Sequence, residues 1–198
     1  MDKYNYEEVF VVPFNETLYI DNGYTNESDK GIWSKFDAVG KYILRTDAEN
    51  NKEVQQIIPY ILIKNQFGEF YVAKRLSNST EDRLHNQISL GFGGHINKED
   101  GYKEPLFKCA FRELFEELNL NMYPSPLKHI GYVRDLNSKT SEHLGVVFIM
   151  DCLKKDVSIK ENDNLEGHWM SKNELIDKYG KLESWAKFIV DYMVDNNL

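Results

Sequence analysis

The chain has 198 residues, 41% of them hydrophobic and 28% charged, which suits one domain with additions or at most two small ones and excludes a wholly disordered polymer. Its net charge of −8 argues against a general nucleic-acid binder, because an acidic surface repels a polyanion at long range. Two cysteines, Cys109 and Cys152, lack CxxC or CxxH spacing, which speaks against a zinc site and a disulfide scaffold and fits reduced thiols in a cytoplasmic protein.

The N-terminus, Met1-Asp2-Lys3-Tyr4-Asn5, is polar and unlike a signal peptide. Val9 to Val12 reads as a short buried strand stopped by Pro13. Residues 14–31 are polar, with a turn at Asp21-Asn22-Gly23. Trp33, Phe36, Val39 and Tyr42 recur at three-residue spacing, a helical pattern interrupted by Gly40. Thr46 to Glu53 reads as a linker, so residues 1–56 are expected to be an N-terminal extension packing on a main domain, residues 57–198. Some 50 residues are too few to hold a core of their own.

The main domain opens with a hairpin: a strand after Pro59 (Tyr60–Lys64), a turn at Asn65-Gln66-Phe67-Gly68, and a returning strand from Glu69 to Arg75. A polar loop with Arg83 and His85 leads to a strand over Gln87–Phe92, and Asn97–Glu104 reads as loop. Leu106–Leu118 is predicted as helix. His129–Arg134 and His143–Cys152 are predicted strands. Ser171-Lys172-Asn173-Glu174 starts a helix as a capping box, and an amphipathic helix covers Leu182–Val194. The longest apolar run, Leu144 to Met150, is far too short to span a bilayer, so a soluble protein is expected. One helix embedded among strands, with helices at the end, predicts an α+β arrangement: a mixed sheet with helices packed on it.

On the helix after Gly91-Phe92-Gly93-Gly94, the residues Phe107, Ala110, Phe111, Leu114 and Leu118 share one side, while Glu113, Glu116 and Glu117 fall together at i, i+3, i+4 well away from it. Such like charges repel unless a divalent cation offsets them, and an all-oxygen set favours Mg²⁺ or Mn²⁺ over zinc. Arg112, one turn before Glu116, can hold a carboxylate in its guanidinium fork. Taken alone, the acidic face is also what a solvated helix surface looks like. The glycines just upstream, which let a backbone carbonyl approach a metal or phosphate closely, favour a site. Their spacing is neither a dinucleotide fingerprint nor a Walker A motif.

Gly94, Glu104 and Arg112-Glu113-Leu114-Phe115-Glu116-Glu117-Leu118-Asn119-Leu120 resemble the Nudix box, G-x5-E-x7-R-E-U-x-E-E-x-G-U with U aliphatic. Two departures stand out: nine residues instead of five separate Gly94 from Glu104, which places an insertion near Asn97–Gly101, and Asn119 replaces the later glycine as the residue expected to end the helix in a left-handed conformation. The resemblance covers roughly residues 57–198. It implies a Nudix α/β/α sandwich and a cytoplasmic metal-dependent hydrolase that cleaves the diphosphate linkage of a nucleoside diphosphate joined to another moiety. It further implies Mg²⁺ (or Mn²⁺) on Glu113, Glu116, Glu117 and the Gly94 carbonyl, with Arg112 orienting a glutamate and Glu104 in a structural role. A small nucleotide-like diphosphate would be the partner, with neither a nucleic-acid polymer nor a membrane. Nudix domains often dimerise, so a homodimer is among the expected states.

Other roles follow from chemistry around this reading. Arg75, Arg83 and His85 are candidate substrate-binding groups. Glu142, Glu161 and Glu166 are candidate bases from outside the box. Trp33 and Trp169 suit core packing better than base stacking, and Cys109 suits packing better than nucleophilic chemistry. A non-catalytic Nudix-like domain that binds a nucleotide metabolite remains the alternative. An isomerase on the same fold is disfavoured because no cysteine precedes Cys109.

Overall fold

The computed structural model of the chain describes residues 6–27, 30–76, 86–121, 125–160 and 165–196. Its axis is a long strand, β4 (Val54–Asn65), written Val-Gln-Gln-Ile-Ile-Pro-Tyr-Ile-Leu-Ile-Lys-Asn. This near-continuous apolar run is what a strand covered on both faces requires. Ile57, Ile61 and Ile63 enter one core and Tyr60 and Leu62 the other, as the two-residue period of a strand dictates. The strand begins before Pro59, contrary to the expectation that it starts after it.

One flank of β4 is taken along Gln56–Asn65 by the parallel strand β10 (His143–Cys152). The other flank changes partners: β1 (Glu8–Pro13) pairs with Val54–Gln56, β7 (Gly91–Phe92) with Ile61 and Leu62, and β5 (Phe70–Arg75) with Ile63 and Lys64. Pro59 sits in the interval between the β1 and β7 ladders, where that flank carries no ladder bond, and such a break is where a strand proline is tolerated. The expected hairpin forms, with Asn65 Oδ1 accepting the backbone N–H groups of Phe67 and Glu69. The single strand expected over Gln87–Phe92 is two, β6 (Ile88–Ser89) on β5 and then β7 on β4.

Among the described residues, ten strands make one mixed sheet, with β12 (Leu165–Met170), β5, β4, β10, β9 (Lys128–Arg134) and β2 (Gly23–Thr25) in that order. The polar 14–31 segment supplies β2, beginning at the last residue of its expected turn at Asp21-Asn22-Gly23. The helical pattern expected through Tyr42 ends at Gly40: α1 (Lys30–Val39) stops there, and Tyr42 belongs to β3 (Lys41–Leu44), paired with β1. Instead of a linker, residues after 44 form a short helix, α2 (Arg45–Glu49), whose buried Ala48 packs with Val9, Val11 and Val54. The N-terminal segment thus meets the sheet at two places, β1 on β4 and β2 on β9, and Arg134 Nη1 donates to Thr17 Oγ1 at 3.3 Å.

One face of the sheet is covered by α3 (Pro105–Glu117) and by Phe36 of α1; the other by α4 (Lys172–Asp177) and α5 (Ser184–Asp195). This is the α/β/α sandwich, with an α+β order of elements. The Ser171–Glu174 capping box is present as expected, Glu174 N–H donating to Ser171 Oγ and Ser171 N–H to Glu174 Oε2. Trp33 packs against Phe10 and Trp169 against Tyr71, both at the edge of the larger core. No described helix is long and apolar enough to cross a membrane.

Candidate active site

The acidic residues are positioned by α3. Pro105 fills its first position, where the missing N–H costs nothing. Leu106, Cys109, Ala110 and Leu114 are fully or nearly fully buried, so one stripe locks the helix against the sheet and the opposite side is left for chemistry. The exit differs from expectation. Asn119 is not left-handed; Leu118 is already extended and Leu118–Leu120 is a strand, β8, paired with β11 (Val157–Ile159). The pairing replaces the glycine cap: Lys160 N–H takes the carbonyl of Glu117 at 2.9 Å, so the helix end is satisfied without a left-handed turn.

Arg112 organises the centre. Its Nε and Nη2 grip Oδ1 and Oδ2 of Asp100 at 2.9 and 3.0 Å, a side-on bidentate pair. Nη1 reaches Glu113 Oε1 at 2.6 Å and Glu116 Oε2 at 3.5 Å, and Nη2 also donates to the His95 carbonyl at 2.9 Å. The bonds to Asp100 raise the Arg112 pKa further, outweighing burial. Asp100 was missed by sequence reasoning, although it stands six residues after Gly94, the spacing that G-x5-E demands. Glu104, given that role, is instead exposed, with a left-handed backbone (φ 53°) at the helix start and no capping bond from its side chain. The four extra residues therefore fall after Asp100, and Asn97–Asp100 keeps its own turn: Asn97 N–H donates to Asp100 Oδ2 at 2.8 Å, and Lys98–Asp100 is a 3-10 turn where loop was expected.

Gly94 lies directly against the acids. A Cβ there would stand 2.5 Å from Glu113 Oε1, so a side chain at this position would push that carboxylate aside. Gly93 likewise lies so close to the Pro59 carbonyl, beside the unpaired interval of β4, that a side chain has no space. The Gly94 and His95 carbonyls accept the Cys109 thiol at 3.6 and 3.2 Å, which makes Cys109 a packed, hydrogen-bonded group; burial pushes its pKa up, away from nucleophilic use. The His95 and His143 rings meet with 3.1 Å between their Nε2 atoms, and burial together with the neighbouring His143 lowers the His95 pKa to about 2.

The three glutamates differ in environment. Glu116 is exposed, with 58% of its side-chain surface accessible. Glu113 is partly buried and its pKa is raised by that burial, opposed by Arg112. Glu117 is raised to about 7 by burial, then by Glu113, with Arg75 pulling the other way and Glu116 and Glu183 adding to the rise. Arg75 thus lies within electrostatic reach of Glu117, and its Nε is 3.0 Å from Glu183 Oε1. Glu183 precedes α5 and carried no local signal in the sequence. Arg83, His85 and Glu161 lie outside the described residues. Glu166 is on β12 with Lys74 at 3.8 Å and His168 at 3.3 Å, and Glu142 leads into β10 with its carbonyl on Gln56 N–H.

Gly94, Arg112, Glu113 and Glu116 line a cleft whose facing side comes from the N-terminal segment, Tyr6, Glu7, Glu8 and Arg45; His95, Asn97, Lys98 and Glu99 complete it. The donor set fits a hard divalent cation: three carboxylates within one turn and a half of helix, with the Gly94 backbone close against Glu113, and with burial and then the neighbouring Glu113 raising the Glu117 pKa. Among the described residues, no three His, Cys, Asp or Glu groups already converge on one point.

No protein-family model matches the chain. Protein YmaB of Bacillus subtilis (strain 168) is 35% identical over 188 residues, 90% of either chain. The crystal structure of Tm1382, a protein classed among the Nudix hydrolases, superposes with a TM-score of 0.80 at 26% identity, covering 96% of this chain and 99% of the other. A Nudix hydrolase from Nitrosomonas europaea shares the fold alone, with 17% identity, a TM-score of 0.50, and 71% and 90% of the two chains covered. Matched along nearly its whole length to such a structure, and carrying Gly94, Asp100, Arg112 and the three glutamates in the arrangement just described, the chain belongs to the Nudix (MutT-like) family.

Proposed function

We propose that the protein is a metal-dependent pyrophosphohydrolase, cleaving a phosphoric anhydride in a nucleoside diphosphate linked to another moiety. The observation that carries this reading is the close approach of Gly94 to Glu113 beside the Arg112–Asp100 pair, which holds one carboxylate of an acidic triplet against the glycine backbone. Glu113, Glu116, Glu117 and the Gly94 carbonyl would hold Mg²⁺ or Mn²⁺. When bound, the metal neutralises the diphosphate and makes a water a usable nucleophile at phosphorus.

The protein's own groups do the rest. Arg112 is a positioning residue, fixed by Asp100 and in turn fixing Glu113. Burial and the neighbouring Glu113 favour the protonated form of Glu117, and a bound cation would favour its carboxylate. Arg75, kept in place by Glu183, is the described cation best placed to meet phosphate oxygen near Glu117. In the overall reaction the water oxygen bonds to phosphorus, the bridging P–O bond breaks, and the water proton leaves to a base. Water attack and loss of the leaving phosphate are aided by preorganised charge.

Turnover of a panel of nucleoside-diphosphate-linked compounds, with and without Mg²⁺, tests the reading. Wild-type protein should hydrolyse at least one compound only with the metal. Glu117→Gln should lower kcat at least a hundredfold and abolish the rise in melting temperature that Mg²⁺ gives the wild type. Unchanged hydrolysis in Glu117→Gln would sink the metal assignment, and tight binding without turnover by wild type would make the protein a binding module.

A further inference from the structure

The N-terminal segment lies outside the stretch that resembles the Nudix box domain, yet it builds one side of the cleft. Arg45 opens α2 and is held by Glu7 (2.9 Å) and Glu49 (2.9 Å), its side chain 23% exposed. Lys98, from the turn that carries Asp100, reaches across to Glu8 at 2.6 Å. Glu8 sits on β1 and Arg45 directly follows β3, and Arg45 N–H donates to the Glu7 carbonyl at 2.7 Å. Glu8 and Arg45 are therefore set by a strand pair and Lys98 by the Lys98–Asp100 turn, with Arg112, Glu113 and Glu116 of α3 in the same cleft.

The chemistry of this side is selective. Carboxylates (Glu7, Glu8, Glu99) outnumber cations (Arg45, Lys98) along it, so a further phosphate would meet net repulsion. Tyr6 is the sole Phe, Tyr or Trp lining the cleft among the described residues, and it is 77% exposed, while the His95 ring is taken up by its contact with His143; an enclosed stacking platform for a base is not built on the N-terminal side. A hydroxyl group suits both partners, because it donates to a carboxylate and accepts from a guanidinium or ammonium. Alternating acids and cations are a surface for neighbouring hydroxyls.

Resting on the pyrophosphohydrolase reading above, we propose that Arg45 and Lys98, with Glu7 and Glu8, are specificity-determining residues that hydrogen-bond the hydroxyl-bearing group attached to the diphosphate. The N-terminal segment is then a substrate-contacting wall as well as a scaffold. The selection comes from hydrogen bonds to a polyhydroxylated group, in a cleft that Gly94, Arg112, Glu113 and Glu116 also line.

Matched probes test it: ADP-ribose and UDP-glucose against the methyl esters of ADP and UDP, which keep the diphosphate and lose the hydroxylated group. Wild-type kcat/KM should favour the sugar compounds at least tenfold. Arg45→Met and Lys98→Met should each cut that preference at least fivefold, chiefly by raising KM for the sugar compound. Lys98→Met disturbs one exposed ion pair, so it keeps the test valid if Arg45→Met melts early. Wild-type values within twofold for sugar and methyl compounds, or a preference unchanged in both variants, overturns the proposal. If no compound turns over, calorimetric titration of the same pairs with Mg²⁺ present decides. A sugar preference in affinity that both variants lose supports the wall while the hydrolase reading falls, and no preference in binding overturns the wall.

Discussion

Asp100 and Arg112 join groups 12 residues apart through two near-parallel hydrogen bonds, one partner buried and the other part-exposed. Removing the carboxylate leaves a guanidinium whose other bonds aim at Glu113 and at a backbone carbonyl. Asp100→Asn is expected to lower stability by about 3 kcal/mol, and to lower Mg²⁺ affinity because Glu113 loses its orientation. Chemical denaturation and a magnesium titration of the variant check both. Glu104→Gln, changing an exposed group, should leave stability within about 0.5 kcal/mol. The contrast between the two shows how legible the site was. Spacing alone put the acidic triplet and Arg112 close together on one helix, while their roles came from the resemblance to the Nudix box. Asp100 was hidden because the motif names glutamate there, and a later glutamate matched the second half of the spacing. Glu183 was unreadable, because its link to Arg75 spans 108 residues of chain and exists only after folding.

Glu117 also sets a pH dependence. Its folded pKa, about 7, lies above its ordinary value of 4.5, so the folded protein holds the proton more tightly than the unfolded chain. Its contribution is then present below the ordinary value and is lost as pH rises through about 7. By the measure of roughly 1.4 kcal/mol per unit, the loss is on the order of 3–4 kcal/mol. Metal-free wild type should therefore melt lower at pH 8 than at pH 6, and Glu117→Gln should flatten this dependence and raise the melting temperature at pH 8. Melting curves in EDTA test the point, and a variant less stable than wild type at pH 8 would refute it.

At the scale of elements, α3 joins a packing problem to a chemical one. Its buried stripe must fit the sheet for the acids to face the cleft. Leu114, fully buried in the larger core, should cost about 2–5 kcal/mol as alanine, with kcat falling as the helix loosens, measurable by denaturation and steady-state kinetics. The apolar spacing that marks this helix is long and periodic, which is why its limits were close to those found. The short strands β2, β3 and β8 carry three or four residues each, too few for alternation to declare itself. Their pairing is supplied by distant partners. Asn119 illustrates the same limit: asparagine favours a left-handed cap locally, yet β11 offers ladder bonds, and the tertiary partner decides.

For the whole molecule, the N-terminal segment meets the sheet at β4 and at β9 and fills a small core of its own with Val9, Val11, Ala48 and Val54. We propose that it folds with the remainder as one cooperative unit. Calorimetry should show a single transition, its van't Hoff and calorimetric enthalpies equal; two resolved transitions would instead mark an independently melting extension. Mg²⁺ at about a hundred times its dissociation constant should add roughly 2.7 kcal/mol to that one transition.

The changing partners along one flank of β4 carry a last consequence. The strand is shared by β1, which leads to the Arg45 side of the cleft, and by β7, which leads to Gly94 and the acids, with the interval at Pro59 between them. In the proposed enzyme, recognition and bond cleavage would hang on neighbouring stretches of one rail but on separate ladders, divided by an interval of β4 in which neither ladder has a bond to lose.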